Sequence, residues 1–210
     1  MKSPPSWGSR YQVDFILDLR TSIPVLSFSN RMQKQQPGSG SDDLFDVVDD
    51  QDRVIAVRQR REVHALGLLH RAVHILVFND VGQLFLQKRS MKKDRQPGLW
   101  DSSASGHVDH GEDYDTAAIR EFEEELGVKP PSNLIRWFKV EAHPETDHEF
   151  VWVYRARHNG PFRLHPVEID DGGWFMPDQV EKWLTEKPQD FASAVPVILA
   201  RARALGQWPG

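Results

Sequence analysis

Hydrophobic and polar positions form short, well-separated apolar runs over most of the chain from residue 42 onward. Runs of five or six residues bounded by turn-forming residues are typical of β-strands. Four of them predict two hairpins: Leu44–Val48 with Arg53–Val57, and Val73–Phe78 with Leu84–Arg89. Three later strands are predicted: Leu134–Val140, Phe150–Arg157 and Gly172–Met176.

Other segments repeat their apolar residues every three or four positions, which is the period of an α-helix. They predict helices over Arg60–Leu69, Asp113–Leu126 and Ala192–Ala204, and a further helix that Asp178 would cap and that runs through Leu184. Gly127 follows the second helix and readily takes the left-handed conformation that ends a helix. Since strands and helices mix without a regular β-α-β repeat, the pattern predicts an α/β fold with a mixed sheet flanked by helices.

Residues 1–41 have a different composition from the rest of the chain. Proline, glycine, glutamine and serine are frequent there. Such a segment buries too little apolar surface to order itself, so we expect a flexible N-terminal extension followed by one folded domain over residues 42–210. Because Asp14 and Asp18 are its only acidic residues, an organelle-targeting leader is an alternative interpretation.

The overall composition narrows the classes of function. Hydrophobic residues make up 39% of the chain and charged residues 27%, which allows a packed core. The net charge is −5 and no basic stripe is present, so we expect no nucleic-acid polymer and no membrane surface as a partner. Cysteine is absent, which excludes thiolate zinc sites and cysteine nucleophiles. No apolar stretch approaches the ~20 residues that span a bilayer, and we expect a cytoplasmic location.

The predicted helix Asp113–Leu126 concentrates negative charge near its C-terminal end. At about 100° per residue, Glu121, Glu124 and Glu125 share one face, whereas Glu123 does not. An apolar stripe runs beside them: Tyr114, Ala118, Phe122 and Leu126. The like charges repel each other, and the negative end of the helix dipole adds to that repulsion. Like charges are normally avoided on one helix face, so their presence here indicates a bound divalent cation that offsets the repulsion. Carboxylate oxygens favour Mg²⁺ or Mn²⁺.

The same segment completes a longer pattern that begins at Gly106. Residues 106–128 read Gly-x5-Glu-x7-Arg-Glu-U-x-Glu-Glu-x-Gly-U, where U is a bulky apolar residue, and every fixed position is filled. This stretch resembles the Nudix box in full, and the chain is identified on that basis as a member of the Nudix superfamily. The resemblance implies an α/β/α sandwich around a mixed β-sheet, here with an N-terminal β-hairpin added.

The resemblance also implies roles for residues of the box. The metal ligands that it implies are Glu121, Glu124, Glu125 and the backbone carbonyl of Gly106. Arg120 would orient one of these glutamates, with Glu112 close to it. A carboxylate must accept the proton of the attacking water, and four candidates stay open: Glu121, Glu124, Glu145 and Glu149.

Outside the box, the chain resembles the isopentenyl-diphosphate-isomerase-like branch of the Nudix proteins, from Asp43 to about Leu184. The segments that carry this likeness are residues 44–57, 70–72, 87–89 and 97–101. True isomerases of this branch move a proton with a cysteine and a glutamate. Ser105 stands at the place of the cysteine, and a hydroxyl donates a proton far less readily than a thiol. Glu149 falls near the place of the glutamate.

Three histidines fall near metal-binding positions of those isomerases: His64, His70 and His107. They are candidates for a second metal site of the imidazole type. The alternative is that they are ordinary residues of a helix end and of strands. The sequence leaves this choice open.

We therefore predict an Mg²⁺-dependent hydrolase that cleaves a diphosphate linkage in a nucleoside-diphosphate-type or other X-linked diphosphate. The predicted substrate-binding residues are Arg89, Lys93, Trp100 and Glu149. One alternative is an isopentenyl-diphosphate Δ-isomerase-like isomerase, which Ser105 counts against. The other is a non-catalytic nucleotide-binding Nudix module, which would not need three repelling carboxylates. The expected partner is a small-molecule diphosphate, and because Nudix proteins are often dimers, a homodimer stays open.

Overall fold

The computed structural model of the protein describes residues 43–132, 134–206 and 208. The strands are β1 Leu44–Val48, β2 Val54–Gln59, β3 His70–Phe78, β4 Leu84–Arg89, β5 Trp100–Asp101, β6 Ala104–His107, β7 Ile135–Val140, β8 Glu149–Arg157 and β9 Ile169–Phe175. The α-helices are α1 Arg60–Leu66, α2 Tyr114–Leu126, α3 Pro177–Glu186 and α4 Ala194–Ala204. The predicted extension over residues 1–41 lies outside the described residues. Within the described ranges, no helix is both long and apolar enough to cross a membrane.

Seven strands form the central sheet, in the order β5-β4-β3-β8-β7. In addition, β6 pairs with β3, and β9 pairs with β4. β3 and β8 run parallel, with His70 opposite Glu149, whereas the other pairs in this sheet are antiparallel. The sheet is therefore mixed, as predicted.

Alternate residues of β3 are buried against opposite helical layers. Val73 and Ile75 pack in one cluster with Phe122 of α2. Leu76 packs in another cluster with Ile198 of α4. Full burial of an aliphatic or aromatic side chain contributes about 1.5–3 kcal/mol, so both faces of the sheet hold the helices firmly. The α/β/α sandwich is confirmed.

The predicted N-terminal hairpin is present as a separate two-stranded sheet of β1 and β2. Asp52 in its turn accepts hydrogen bonds from Arg71 Nε at 2.6 Å, Lys139 Nζ at 2.7 Å and the Tyr114 hydroxyl at 2.9 Å. These donors belong to β3, β7 and α2. Burial would raise the pKa of Asp52, but the three donors lower it below its usual value. One carboxylate thus ties the hairpin to the sandwich.

The predicted end of the first helix and start of the next strand were wrong. α1 ends at Leu66 rather than Leu69, because Gly67 has φ of 59° and its backbone turns left-handed. β3 then begins at His70, three residues before the predicted start at Val73. His70 consequently lies at the first position of a central strand.

Two later helices also begin elsewhere than predicted. α3 begins at Pro177 with Met176 as its N-cap, so Asp178 is not the cap. Proline suits the first helical position because its φ is already helical and its missing N–H is not needed there. α4 begins at Ala194 rather than Ala192. The Ala192 backbone N–H instead donates to the carbonyl of residue 100 at 2.8 Å.

Candidate functional site

The orientation of α2 follows from its two ends and its apolar face. Asp113 caps the N-terminus by accepting a hydrogen bond from the Thr116 backbone N–H at 2.8 Å. Gly127, with φ of 66°, ends the helix. The whole predicted apolar stripe is buried against the sheet: Tyr114, Ala118, Phe122 and Leu126. The neighbouring face, which carries the glutamates, is thereby directed towards β6.

Arg120 lies at the centre of the charged network on this face. Its guanidinium donates to both oxygens of Glu112, at 3.0 and 2.8 Å. Nη1 donates to Glu121 at 2.6 Å and to Glu124 at 3.3 Å. Nη2 also donates to the His107 carbonyl at 2.9 Å. Burial would lower the pKa of Arg120, but the surrounding carboxylates raise it further above its usual value, so the guanidinium stays charged.

Gly106 of β6 lies directly against Glu121. A Cβ atom added to Gly106 would be 2.0 Å from Glu121 Oε1, so no side chain fits there without displacing the carboxylate. Burial raises the pKa of Glu121 well above its usual value; Arg120 opposes this effect, and Glu125 adds to it. The close packing against Gly106 thus holds the Glu121 carboxylate in a buried position where its ionisation is unfavourable.

Glu125 is the most deeply anchored of the three predicted metal ligands. It is buried, and its Oε2 accepts hydrogen bonds from Gln87 Nε2 at 2.7 Å and from the Ser105 backbone N–H at 2.8 Å. Burial raises the pKa of Glu125 to about 7, and Glu168 adds to that shift. Burial also raises the pKa of Glu124.

The charges of this group do not balance. Three carboxylates converge here, and the guanidinium of Arg120 is shared with a fourth, Glu112. Raised pKa values are the expected result when carboxylates are crowded together away from water. The donor atoms are all oxygens, which suits Mg²⁺ or Mn²⁺. The residues therefore fit the divalent cation that the sequence predicts.

A cavity of about 90 Å³ lies beside β6, under the N-terminal end of α4. Ser105 and His107 line it from β6, Ala72 and His74 from β3, and Glu149 from β8. Ala72 belongs to the cluster that packs on α4, on the opposite face of the sheet from α2. Strand β6 lies between this cavity and the carboxylates of α2, and its Gly106 borders both, because it lines the cavity and lies against Glu121.

Cationic side chains line the cavity, and each is paired with a carboxylate. The pairs are Arg60–Asp94 at 2.5 Å, Arg89–Asp101 at 3.0 Å, Lys93–Glu168 at 2.7 Å and Arg95–Asp147 at 2.5 Å. Two of these cations are predicted substrate ligands, Arg89 and Lys93. An anion with several oxygens could exchange with the carboxylates, because guanidinium and ammonium groups bind phosphate at least as readily.

The other two predicted substrate ligands lie in different surroundings. Trp100 is not among the cavity-lining residues; its ring packs edge-on against Phe175 and Trp183, with centroids 5.4 Å apart in each case. Glu149 does line the cavity. Glu145, a candidate base, is exposed and pairs with His143 at 2.7 Å, and it is not among the residues that line the cavity.

Three histidines meet at one end of the cavity. Ring nitrogens of His64, His70 and His107 all lie within 4.8 Å of one another. Glu149 joins them, 3.1 Å from His107 Nε2 and 3.5 Å from His70 Nε2. The Phe45 ring stacks on His107 at 4.5 Å and on His70 at 5.9 Å. Residues from α1, β3, β6 and β8 thus form one compact cluster.

The protonation of this cluster differs between its members. Burial lowers the pKa of His107 to about 4. Burial would also lower the pKa of His70, but Glu149 raises it above its usual value. Burial would raise the pKa of Glu149, but His107 and His70 lower it. Neutral imidazole and ionised carboxylate are the forms that bind metals. Several buried ring nitrogens make no well-directed hydrogen bond to the described residues and lie close to carboxylates instead: His64 Nδ1 is 3.1 Å from Asp147, and Nε2 of His70 and of His107 lie near Glu149.

Sequence reasoning missed two residues beside the carboxylates of α2. Gln87 contacts Glu125, and Glu168 acts on both Glu124 and Glu125 through its charge. Strand alternation could have identified Gln87, because residues two apart on a strand point to the same face. Phe85 packs towards α2, so Gln87 points there as well. No local signal identifies Glu168, which lies in the loop before β9.

Comparison with known proteins is consistent with this architecture. The NUDIX domain family matches residues 68–196. An uncharacterised Nudix hydrolase of Yersinia pestis is 35% identical over 160 residues, which cover 74% of this chain and 85% of that protein. An isopentenyl-diphosphate Δ-isomerase of Serratia proteamaculans is 33% identical over 153 residues, covering 71% and 86%. A crystal structure from Deinococcus radiodurans has a TM-score of 0.68 at 26% identity and covers 75% of this chain and 98% of its own.

Proposed function

The chain belongs to the NUDIX domain family, and from that membership we propose that it is a hydrolase that cleaves a diphosphate linkage with Mg²⁺ or Mn²⁺. The substrate would be a nucleoside-diphosphate-type or other X-linked diphosphate. Support comes from the complete box and from the relatives of 30% identity or more that carry the name Nudix hydrolase.

The observation that carries the proposal is the convergence of Glu121, Glu124 and Glu125 on one site with too little positive charge to balance them. A binding module or a structural protein gains nothing from such repulsion. When bound, a divalent cation would neutralise the oxygens of a diphosphate and lower the pKa of the attacking water.

The side chains of the protein would divide the remaining work. Glu121, Glu124 and Glu125 would hold the cation, and Arg120 would fix their rotamers through its hydrogen bonds. Glu121 or Glu124 would accept the proton of the attacking water. Arg89 and Lys93 would release their present carboxylate partners and bind phosphate oxygens.

The first test is hydrolysis of a panel of diphosphates with Mg²⁺ and with EDTA. The panel contains nucleoside di- and triphosphates, ADP-ribose, dinucleotides and isopentenyl diphosphate. We expect Mg²⁺-dependent turnover of at least one member and its loss in Glu124→Gln, which keeps the shape of the side chain and removes its charge. Turnover that is unchanged in Glu124→Gln would contradict the assignment of the metal ligand.

A second candidate function is isomerisation of an isoprenoid diphosphate. The cluster of His64, His70, His107 and Glu149 favours it, as does the likeness to the Serratia isomerase. Ser105 lies in the cavity where a proton donor would be needed, and its hydroxyl is a poor one. If isopentenyl diphosphate is converted to its allylic isomer while the rest of the panel stays intact, this candidate replaces the first. Binding of nucleotides without turnover would instead indicate a regulatory module.

We also propose that the histidine cluster holds a second cation of a softer kind, such as Zn²⁺, since imidazole nitrogens suit this ion better than Mg²⁺. The partner of the protein would be a small diphosphate, and its location the cytoplasm. A homodimer is a further proposal, which sedimentation would test directly.

A further inference from the structure

We propose that Gln87 is a positioning residue that holds Glu125 so that one of its oxygens, Oε1, is presented to a divalent cation. This inference rests on the proposed function only in taking Glu125 as a ligand for Mg²⁺. Nothing in the box pattern itself specifies Gln87, which precedes the box by 19 positions and lies on another strand.

The two hydrogen bonds to Glu125 converge on the same atom. Gln87 Nε2 and the Ser105 backbone N–H donate to Oε2, at 2.7 and 2.8 Å. Oε1 accepts no hydrogen bond from the described residues, and it is not among the polar atoms that are sealed from solvent without a partner. A carboxylate whose one oxygen is fixed by two donors keeps the other oxygen in a defined direction. That second oxygen is the one available to a cation.

A glutamine at this place in the core requires an explanation. Gln87 is 1% exposed and its strand neighbours Phe85 and Leu86 are buried. An amide taken out of water costs free energy unless it is paired, and an apolar residue would fill the same space without that cost. The bond to Glu125 supplies the pairing, so the polar side chain is explained by its contact with the carboxylate.

The Gln87 amide positions Glu125 without adding charge, and both its length and its neutrality matter for this role. A lysine or arginine at position 87 would also donate to Glu125, but its positive charge would satisfy the carboxylate and compete with the cation. A glutamate would add a fourth negative charge without donating. Glutamine directs the carboxylate and leaves its charge for the metal. Groups that orient metal ligands in this way typically account for about 10–100-fold in metal affinity.

The test is calorimetric titration of the whole protein with Mg²⁺, without substrate. Mg²⁺ is used because the histidine cluster would take up a softer ion. We compare Gln87→Leu, which removes the donor, with Gln87→Lys, which keeps a donor and adds charge. The matched control is Gln83→Leu, because among the described residues the Gln83 side chain bonds only to Asn79, at the far end of the same hairpin. Melting temperatures in EDTA report on the fold of each variant.

We expect Gln87→Leu and Gln87→Lys to bind Mg²⁺ about 10–100-fold more weakly than the wild type, with Gln83→Leu unchanged. In EDTA, Gln87→Lys should melt at a higher temperature than Gln87→Leu, because its ammonium pairs with Glu125. A Gln87→Leu protein that melts earlier but binds Mg²⁺ like the wild type would overturn the proposal, since Gln87 would then serve packing alone. So would wild-type affinity in Gln87→Lys. Failure of the proposed function would look different: the wild type itself would show no Mg²⁺ binding that Glu124→Gln abolishes.

Discussion

At the scale of single residues, Gly106 leaves the space that Glu121 occupies. The ideal Cβ position on Gly106 is 2.0 Å from Glu121 Oε1 and 2.1 Å from its Cδ. We expect Gly106→Ala to push the carboxylate aside and to weaken Mg²⁺-dependent hydrolysis by about 10–100-fold. Steady-state rates across a range of Mg²⁺ concentrations measure the effect.

The control for this change is Gly173→Ala in β9. There the added Cβ meets only the Phe175 ring, at 3.1 Å, and an aromatic side chain can shift by a few tenths of an ångström. Gly173→Ala should keep wild-type activity. Equal losses in both variants would mean that Gly106 has no special relation to the metal site.

The Arg120 guanidinium makes a set of contacts that a lysine ammonium group cannot reproduce. Its guanidinium contacts Glu112, Glu121, Glu124 and a backbone carbonyl together. Lysine carries the same charge but lacks the planar fork that reaches several acceptors. We expect Arg120→Lys to lower kcat/KM by about 10-fold or more, equivalent to about 1.4 kcal/mol.

The matched control is Arg136→Lys. Arg136 of β7 pairs with Asp115, which lies on α2 like Arg120 but at an exposed position. Exposed pairs contribute little, and this pair does not touch the glutamates, so this variant should retain activity. Retention of full activity in Arg120→Lys as well would show that charge alone suffices at position 120.

At the scale of elements, α2 is a helix whose glutamates oppose its own folding when no cation is bound. The pKa of Glu125 is raised to about 7 from a usual value of 4.5. The folded protein therefore holds a proton that the unfolded chain has already released, and stability falls as the pH rises from about 4.5 to about 7. We expect a higher melting temperature in EDTA at pH 6 than at pH 8.

Two comparisons isolate this effect by differential scanning calorimetry. Glu125→Gln should reduce the difference between pH 6 and pH 8, because it removes one of the titrating groups. Mg²⁺ added at pH 8 should raise the melting temperature of the wild type by mass action. A wild-type protein in EDTA that is more stable at pH 8 than at pH 6 would refute the explanation.

Asp52 is one of several contacts that attach the hairpin of β1 and β2 to the sandwich, beside the Phe45 ring that stacks on His70 and His107. Asp52 accepts hydrogen bonds from Arg71, Lys139 and Tyr114. Removing it leaves three donors without their acceptor, so Asp52→Ala should cost about 1–3 kcal/mol of unfolding free energy. Chemical denaturation measures this loss.

The comparison for this change is Asp50→Ala, in the same turn but exposed. It should be neutral within the error of denaturation. If the two variants lose the same stability, the turn as a whole matters and the contacts of Asp52 do not.

At the scale of the whole molecule, β6 carries two ligand sets on its two sides. Gly106 abuts the carboxylates of α2, whereas the next residue, His107, belongs to the histidine cluster. Because the two ligand sets lie on opposite sides of β6, we expect them to form two separate metal sites. We expect Glu124→Gln to lose Mg²⁺ binding but to retain Zn²⁺, and His107→Gln to show the reverse.

Metal content after dialysis, measured by mass spectrometry, distinguishes these sites from a single shared one. Loss of both kinds of ion in either variant would indicate that β6 holds one composite centre. Retention of Zn²⁺ in His107→Gln would remove the histidine cluster as a metal site and leave it as a packing cluster around Phe45.

Features that depend on local spacing along the chain can be predicted from the sequence alone. The hydrophobic periods predict the hairpins, most strands and the face of α2 that carries Glu121, Glu124 and Glu125, because neighbours three or four residues apart on a helix are fixed by its geometry. The box pattern predicts the family and the mixed sandwich. The end of α1 at Leu66 and the start of α3 at Pro177 differ from the prediction by a few positions, because a glycine and a proline set them through their backbone conformations.

Contacts between residues that are distant in sequence depend on the three-dimensional fold. Gln87 and Glu125 are 38 positions apart, and the histidine cluster joins residues from three elements. The packing of Trp100 against Phe175 and Trp183, away from the cavity, likewise joins residues that are distant in sequence. Such contacts depend on strand order and register, here the pairing of β3 with both β6 and β8. Local sequence does not encode that order, because it arises from how the whole chain buries both faces of its sheet.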